Sequence, residues 1–421
     1  MPEVIQIHPP EIRGITEGKE VSARIQIGET TQRLWFRLPE DIPCDTRLDA
    51  FVICLLPTAM NLNADLIAEG DLSAGLEQGI ERFQRIFKRW YPSFHQITLR
   101  GYSSLRDQNA PDGRRTGSFF SGGLDSFHTI LRNAHRVDDG ILIRGFDISL
   151  DNPFLWERVR SRLREAAEDI RKPLIEVSTN SRNITEPYVS WPRHQYGCAL
   201  ASIGHLLARH QQRVLIPASD MYETLIPWGS HPLTDPLLGS ERFSIEHEGA
   251  DCSRYEKVLF VSGYPTAMKH LRVCWHNSDN AYNCGICEKC TRTQLEFLAA
   301  GVMDRYSVFP TPLTVERVRN LRIPDTFEVY YENILDGLKK RSSAPEFAET
   351  LELVLKCHKQ KQLGEQWSRH PPDLDQPAIR EALLQHEEFL LSLLLSKGKR
   401  HFFRLGFRNL KRGRNPQHLK T

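Results

Sequence analysis

The spacing of apolar positions divides the chain into three stretches. In residues 1–60 apolar residues come in short runs. Val21–Ile27 alternates in and out as a half-buried strand does, and Leu34–Leu38 and Ala50–Leu56 have strand length. Pro39, Pro43 and Pro57 punctuate the runs, which predicts a β-rich N-terminal extension. Residues 73–90 change to helical spacing, with Ser73 as N-cap and Leu76, Ile80, Phe83 and Phe87 on one face. The basic residues between them (Arg82, Arg85, Lys88, Arg89) read as the solvated side of that helix. His95–Arg100 predicts a further strand. The polar run Asp107–Arg115 reads as a linker, giving three regions: 1–110, 111–302 and 303–421.

From residue 116 strands alternate with helices. Strands are predicted at Gly117–Phe120, Ile141–Phe146, Leu174–Val177 and Val214–Pro217. Helices are predicted at Leu124–Ala134, Trp156–Ile170 and Tyr196–Arg209. Such alternation predicts an α/β fold with a parallel, doubly wound sheet. Ligands in these sheets sit beyond the carboxyl ends of the strands, an edge that here collects Ser121–Ser126, Asp147–Asp151, Asn180–Arg182 and Ser219–Tyr222. Residues 218–252 have little helical period and form a long connection, a candidate cover for that edge. Ser253 and Glu256 make a capping box for a helix through Val261, with Gly263 as its stop. Leu271–Trp275 is strand-like. Residues 288–300 continue as a helix ending at Gly301. The C-terminal third reads as helical at Val315–Leu321, Phe327–Leu338, Pro345–Gln360 and Ile379–Leu395, and residues 397–421 form a basic tail.

Composition narrows this picture. A net charge of +2 over 421 residues makes no global case for nucleic acid or membrane, though the basic tail leaves nucleic acid open as a partner. No apolar run is long enough to span a bilayer, and the N-terminus lacks the basic and apolar regions of a signal peptide, so the expected location is cytoplasmic. Of nine cysteines, Cys274, Cys284, Cys287 and Cys290 lie in one short loop. Two overlapping Cys-x-x-Cys steps and a fourth thiolate suit a closed structural Zn²⁺ site, with Gly285 at the turn; an iron–sulfur cluster could use the same ligands. His276 is a possible substitute ligand.

The second chemical feature is Ser121-Gly122-Gly123-Leu124-Asp125-Ser126, placed between a strand and a helix. Paired glycines let backbone approach an anion, and the new helix points unpaired N–H groups at it. The Ser121 and Ser126 hydroxyls add donors. Asp125 would repel a phosphate unless a cation lies between, so its expected work is holding Mg²⁺ or positioning. The Gly-Lys-Ser/Thr ending of the common P-loop is absent.

This hexapeptide resembles the PP-loop of ATP pyrophosphatases. Together with the downstream Cys…Cys-Gly-x-Cys-x-x-Cys knuckle, residues 115–302 resemble the 7-cyano-7-deazaguanine synthase (QueC) family. The resemblance implies an adenine nucleotide α-hydrolase-like fold with ATP and Mg²⁺ as cofactors and Zn²⁺ on the four clustered cysteines. It implies nucleotide binding by Ser121, Gly122, Gly123, Leu124, Asp125, Ser126 and Phe146, with Asp125, Ser121 and Ser126 in catalytic roles. The implied reaction adenylates a carboxylate, 7-carboxy-7-deazaguanine or a related deazapurine, and then passes the acyl group to an amine. Three pocket segments depart from the family: Phe146–Ser149, Trp191–His194 and Pro227–His231. The flanking regions are closer to the QueC-like (QatC-like) proteins of bacterial antiviral operons, which implies a partner protein from the same operon. Arg193, His194, Asp220 and Lys289 are further candidates for substrate or phosphate contacts. Two other readings stay open: a PP-loop tRNA-thiolating enzyme, and an ATP-binding subunit without catalysis.

Overall fold

The computed structural model describes residues 4–106, 113–342 and 344–369. The predicted helix Ile379–Leu395, the basic tail and most of the predicted linker lie outside them. The described residues up to Thr314, with Asp336–Ser342, form one compact unit; Val315–Leu335 and Ala344–Arg369 form a second.

The first unit is built on eleven strands: β1 Val4–Ile7, β2 Glu11–Ile15, β3 Gly18–Ile27, β4 Thr30–Leu38, β5 Asp65–Ser73, β6 Leu99–Leu105, β7 Arg115–Phe119, β8 Asp139–Arg144, β9 Leu174–Thr179, β10 Gln211–Pro217 and β11 Ser244–Glu248. They make one sheet in the order β11-β10-β7-β8-β9-β4-β3-β1-β5-β6, with β2 on β3. The fold is α/β, but the sheet is mixed and largely parallel. The four predicted strands, β7 to β10, are mutually parallel, and β11 extends them as an unpredicted fifth; β4 joins β9 antiparallel through Phe36↔Thr179 and Arg37↔Ser178. The N-terminal strands therefore continue the sheet.

The helices of this unit are α1 Asp49–Leu62, α2 Ala74–Trp90, α3 Leu124–Arg132, α4 Pro153–Asp169, α5 Ser181–Thr185, α6 Tyr196–Leu206, α7 Arg254–Val261, α8 Pro265–His270 and α9 Glu288–Ala300. Period-two alternation on the strands sorts them onto two faces. Ile141, Val214 and Ile216 point into one core with α1, α2 and α6; Leu142 and Leu215 point into the other with α3, α4, α7 and α9. Both faces of the parallel half are thus covered, as a parallel sheet requires.

Helix α1 corrects the predicted strand at Ala50–Leu56. The run is apolar on all sides and buried on all sides, from Asp49 to Met60. A continuous apolar run does not distinguish a buried strand from a buried helix. Each large side chain so buried contributes about 1.5–3 kcal/mol, which outweighs β-propensity. Helix α2 matches its prediction, although the Ser73 hydroxyl bonds the Asp49 carboxylate and does not cap the helix. The strand predicted at His95–Arg100 lies further on as β6, and Leu271–Trp275 is irregular. Within the 218–252 connection, β11 adds a fifth parallel strand beside β10. The capping box of α7 forms as predicted, and Gly301 ends α9 at φ +67°. The second unit contains helix α10 at Val315–Arg319, α12 at Pro345–Arg369 and the first part, Glu328–Leu335, of α11 at Glu328–Arg341.

Candidate active site and metal centre

Strand β7 lies between β10 and β8, so the chain turns in opposite directions from its two sides. Such a reversal opens a crevice beyond the strand ends. A cavity of about 130 Å³ lies there, lined by Ser121, Gly123, Leu124, Asp125 and Ser126 after β7, Phe146 and Asp147 after β8, and Ser219 after β10. The sequence-predicted loop residues meet at this one place. Gly122 has φ +75°, a conformation that favours glycine, and a Cβ there would also have to displace the Leu163 methyl, 2.5 Å away. The Gly123 N–H donates weakly to Ser121 Oγ, and Ser126 Oγ donates to the Gly123 carbonyl. Leu124 is core, and Phe146 packs edge-on against Trp191.

The cations around Asp125 come from the chain itself. Lys257 Nζ donates to Asp125 Oδ1 at 3.2 Å and to the Ala218 carbonyl at 2.6 Å. Arg254 Nη1 reaches Asp125 Oδ2 at 3.4 Å while its Nε holds Glu296 at 2.9 Å. Burial alone would raise the Asp125 carboxyl, but Lys257, Arg254 and Lys289 outweigh it and hold it below the usual carboxylate range. Its stabilising contribution is present above the unfolded value, near 3.9, and is lost as pH falls through the folded one. Burial raises Glu296 despite Arg254 and Arg292. Arg254 and Lys257 were not singled out by sequence; their signal, two cations one helical turn apart behind a capping box, is common on solvated helices.

Two further cations line the cavity. Arg272 is buried; Nη2 bonds Asn277 Oδ1, and Nε has no partner. The Lys289 ammonium forms no hydrogen bond or ion pair among the described residues, and burial, with Arg254 and Arg292, lowers its pKa against the pull of Asp125 and Asp147. Of the secondary candidates, only Lys289 lines this cavity. Asp220 lines a smaller neighbouring one, and His194 packs on Tyr91 and Phe94, away from both. Arg193 is exposed, and its carbonyl accepts from the Tyr91 hydroxyl.

The smaller cavity shares Tyr196 and Ser219 with the first and is also lined by Trp228. At its edge His247 Nδ1 lies 2.8 Å from Asp235 Oδ2, with both side chains buried. Asp235 is held in turn by Ser230 Oγ and the His231 N–H. Among the described residues His247 Nε2 has no partner. This oriented imidazole escaped sequence reasoning because its two residues are twelve apart, Asp235 in a short turn and His247 on the unpredicted strand β11.

His128, one turn beyond Asp125, is buried with Nδ1 unpartnered. Burial, then Lys257 and Arg132, push its pKa down to about 4. The unfolded chain takes up this proton near 6.5 and the folded protein only near 4, so stability is full above about 6.5 and falls with pH across that window. The expected loss is about 2 kcal/mol by pH 5. Urea unfolding at pH 7 and pH 5 checks it: His128→Gln should lose markedly less than the wild type between the two.

The four clustered cysteines place their sulfurs within 4.8 Å of one another. Cys274 and Cys287 sulfurs are 4.0 Å apart, and Cys284 and Cys290 sulfurs 3.8 Å. A tetrahedral site with Zn–S of about 2.3 Å has edges of about 3.8 Å, so the cluster can hold a metal such as zinc. His276 is not among the grouped ligands. Gly285 sits at φ +76° in the turn, and the Asn283 carboxamide ties Val273 N and Cys274 N to the knuckle. This centre adjoins the cavity by sequence. Arg272 lies two residues before Cys274, Lys289 immediately precedes Cys290, and the Arg272 N–H donates to the Gly122 carbonyl at 2.7 Å. No family model, curated protein or solved structure matches the chain.

Proposed function

We propose that this protein is an ATP-dependent adenylating enzyme of the QueC-like, PP-loop type, with its zinc knuckle supporting the nucleotide site. The carrying observation is the cavity at the sheet's reversal point, where a glycine-bent loop faces the unpartnered Lys289 ammonium and Arg272 Nε. A carboxylate cannot acylate an amine directly because oxide is a poor leaving group. In the proposed reaction it attacks the α-phosphorus of ATP; the α–β bridge breaks, pyrophosphate leaves, and an acyl-adenylate remains. An amine then attacks the carbonyl, AMP leaves, and the amine loses a proton. Lys289 and Arg272 offset charge on the departing pyrophosphate, and Asp125 orders Lys257 and Arg254 beneath the loop. Mg²⁺, when bound, would add charge neutralisation at the phosphates. The cavity is smaller than the roughly 300–1,000 Å³ of ordinary ligand pockets, so nucleotide entry calls for the irregular stretch between β10 and β11, whose Ser219 lines the cavity, to shift.

The proposed acyl substrate is 7-carboxy-7-deazaguanine or a related carboxylated deazapurine, and the acceptor an amine on a partner protein of a defence operon. The test is pyrophosphate release with that carboxylate, with and without the products of neighbouring genes. Lys289→Met and Ser121→Ala should each slow release by about 10²-fold, the scale for losing one preorganised donor. Release at the wild-type rate from both would overturn the assignment. A colourless protein with one zinc favours this reading; a brown chromophore lost with Cys287→Ser favours the thiolation reading.

A further inference from the structure

A larger groove, of about 640 Å³, lies away from the glycine loop, where β9 meets β4. Strand register fixes which side chains face it. Glu20 on β3 pairs with Arg37 on β4 and Arg13 on β2; Ser22 pairs with Trp35, and Arg24 with Arg33. Arg37 pairs with Ser178 on β9, and Ser178 with Arg144 on β8. Directly paired residues share a face, so all these point to the side on which α4 stands. On the opposite side Val21, Ala23, Ile25, Leu34 and Phe36 are buried in the core with α1. The N-terminal half of the sheet is thus one-sided, with a polar outer face.

That face is organised around arginine. Glu20, with no exposed side-chain area, is bonded by Arg13, Arg33 and Arg37, whose side chains stay 52%, 42% and 45% exposed. One buried carboxylate therefore fixes three guanidiniums and neutralises one of them. Arg37 also lies over the Trp35 ring at 4.1 Å. In the adjoining groove Arg160 and Arg164 share the single Glu176 carboxylate. Arg144 stands over Trp156 with its Nε unpartnered. In each cluster guanidiniums outnumber the carboxylates that hold them, although Glu11 and Glu17 border the face and Glu157 pairs with Arg160.

We propose that this face and groove bind single-stranded nucleic acid, with phosphates on the arginine forks and bases against the Trp35 and arginine planes. Planar guanidiniums match phosphate oxygens two at a time, and an open basic sheet face with an aromatic ring is a stacking platform tolerant of sequence. An acidic peptide would satisfy the charges and leave the stacking planes unused. This surface is separate from the proposed adenylation site and does not depend on it.

The test is fluorescence anisotropy with the full chain and labelled mixed-sequence 12-nucleotide RNA and DNA across a salt series, beside a labelled polyglutamate of equal length. Binding should weaken with salt at a log–log slope of about −2 to −3, at about −0.7 per phosphate neutralised. Arg33→Gln/Arg37→Gln should weaken it at least tenfold and reduce the slope by about one. Because that variant leaves Glu20 with fewer partners, Arg33→Lys/Arg37→Lys, which keeps the charge, serves as the folded control; it should hold the wild-type salt slope while binding more weakly than the wild type, because an ammonium replaces neither the bidentate fork nor the stacking plane. Absence of binding by the wild type overturns the proposal. So does unchanged binding by the glutamine variant, which would move the contact to another part of the chain. Equal affinity for polyglutamate would also overturn it, making the face a docking site for acidic protein.

Discussion

Chelating a metal held by the Cys274–Cys290 loop, or replacing Cys290 with serine, is expected to abolish the nucleotide binding proposed above as well as to destabilise the protein. The knuckle carries Lys289 on one arm and Arg272 on the other, and the Arg272 N–H is bonded to the Gly122 carbonyl of the loop itself. Four thiolates without a cation would repel one another or take up protons, and either outcome relaxes the turn at Gly285. Metal binding at such sites contributes on the order of 10 kcal/mol in small domains. In this larger unit the α9 packing and the Asn283 bonds to Leu271 and Val308 retain part of the loop. A loss near 5 kcal/mol would lower the melting temperature by about 10 °C or more. The measurements are metal content, thermal melting and ATP binding by calorimetry on Cys290→Ser, with Cys357→Ser, an exposed cysteine outside the cluster, as control. Wild-type ATP affinity in a metal-free Cys290→Ser protein would uncouple the two sites.

How much of this was legible in the sequence follows from the range of the interactions concerned. The glycine loop and the cysteine knuckle are local: their chemistry lies within a few residues, so spacing alone brought out Ser121–Ser126 and Cys284–Cys290. The parallel strands β7 to β10 were legible from their alternation with helical segments and from short apolar runs such as Ile141–Ile143 and Val214–Ile216. Strand β11 (Ser244–Glu248) was not, since its polar sequence carries no strand signature and its place is set by pairing with β10. The nature of α1 depended on what surrounds it, which no period records. Asp235 with His247, Lys257 with Asp125, and Glu20 with its three arginines join residues from different elements, and only the folded chain brings them together. The arginines on β4 carry no signal of their own in the sequence; strand register puts them on one face with Arg144.

Replacing Lys257 with methionine should be among the most destabilising single substitutions outside the knuckle, at about 3–5 kcal/mol, the usual cost of removing one partner from a buried ion pair. Lys257 is 1% exposed, and its ammonium serves both Asp125 and the Ala218 carbonyl. Methionine fills most of the space, so the cost comes from the groups left behind. Asp125 would keep only the longer contact from Arg254, which is already committed to Glu296 and Thr293. The Ala218 carbonyl would lose its ammonium donor at the end of β10, where the cavity begins. Neutralising the stranded carboxylate separates these terms: Lys257→Met/Asp125→Asn should recover about 1–3 kcal/mol relative to Lys257→Met, because a half-buried charge no longer sits without its main partner. Urea unfolding of the two single variants, the double variant and the wild type completes the cycle. Strict additivity would mean that the 3.2 Å contact carries no energy, and Arg254 alone would then be the counter-ion of Asp125.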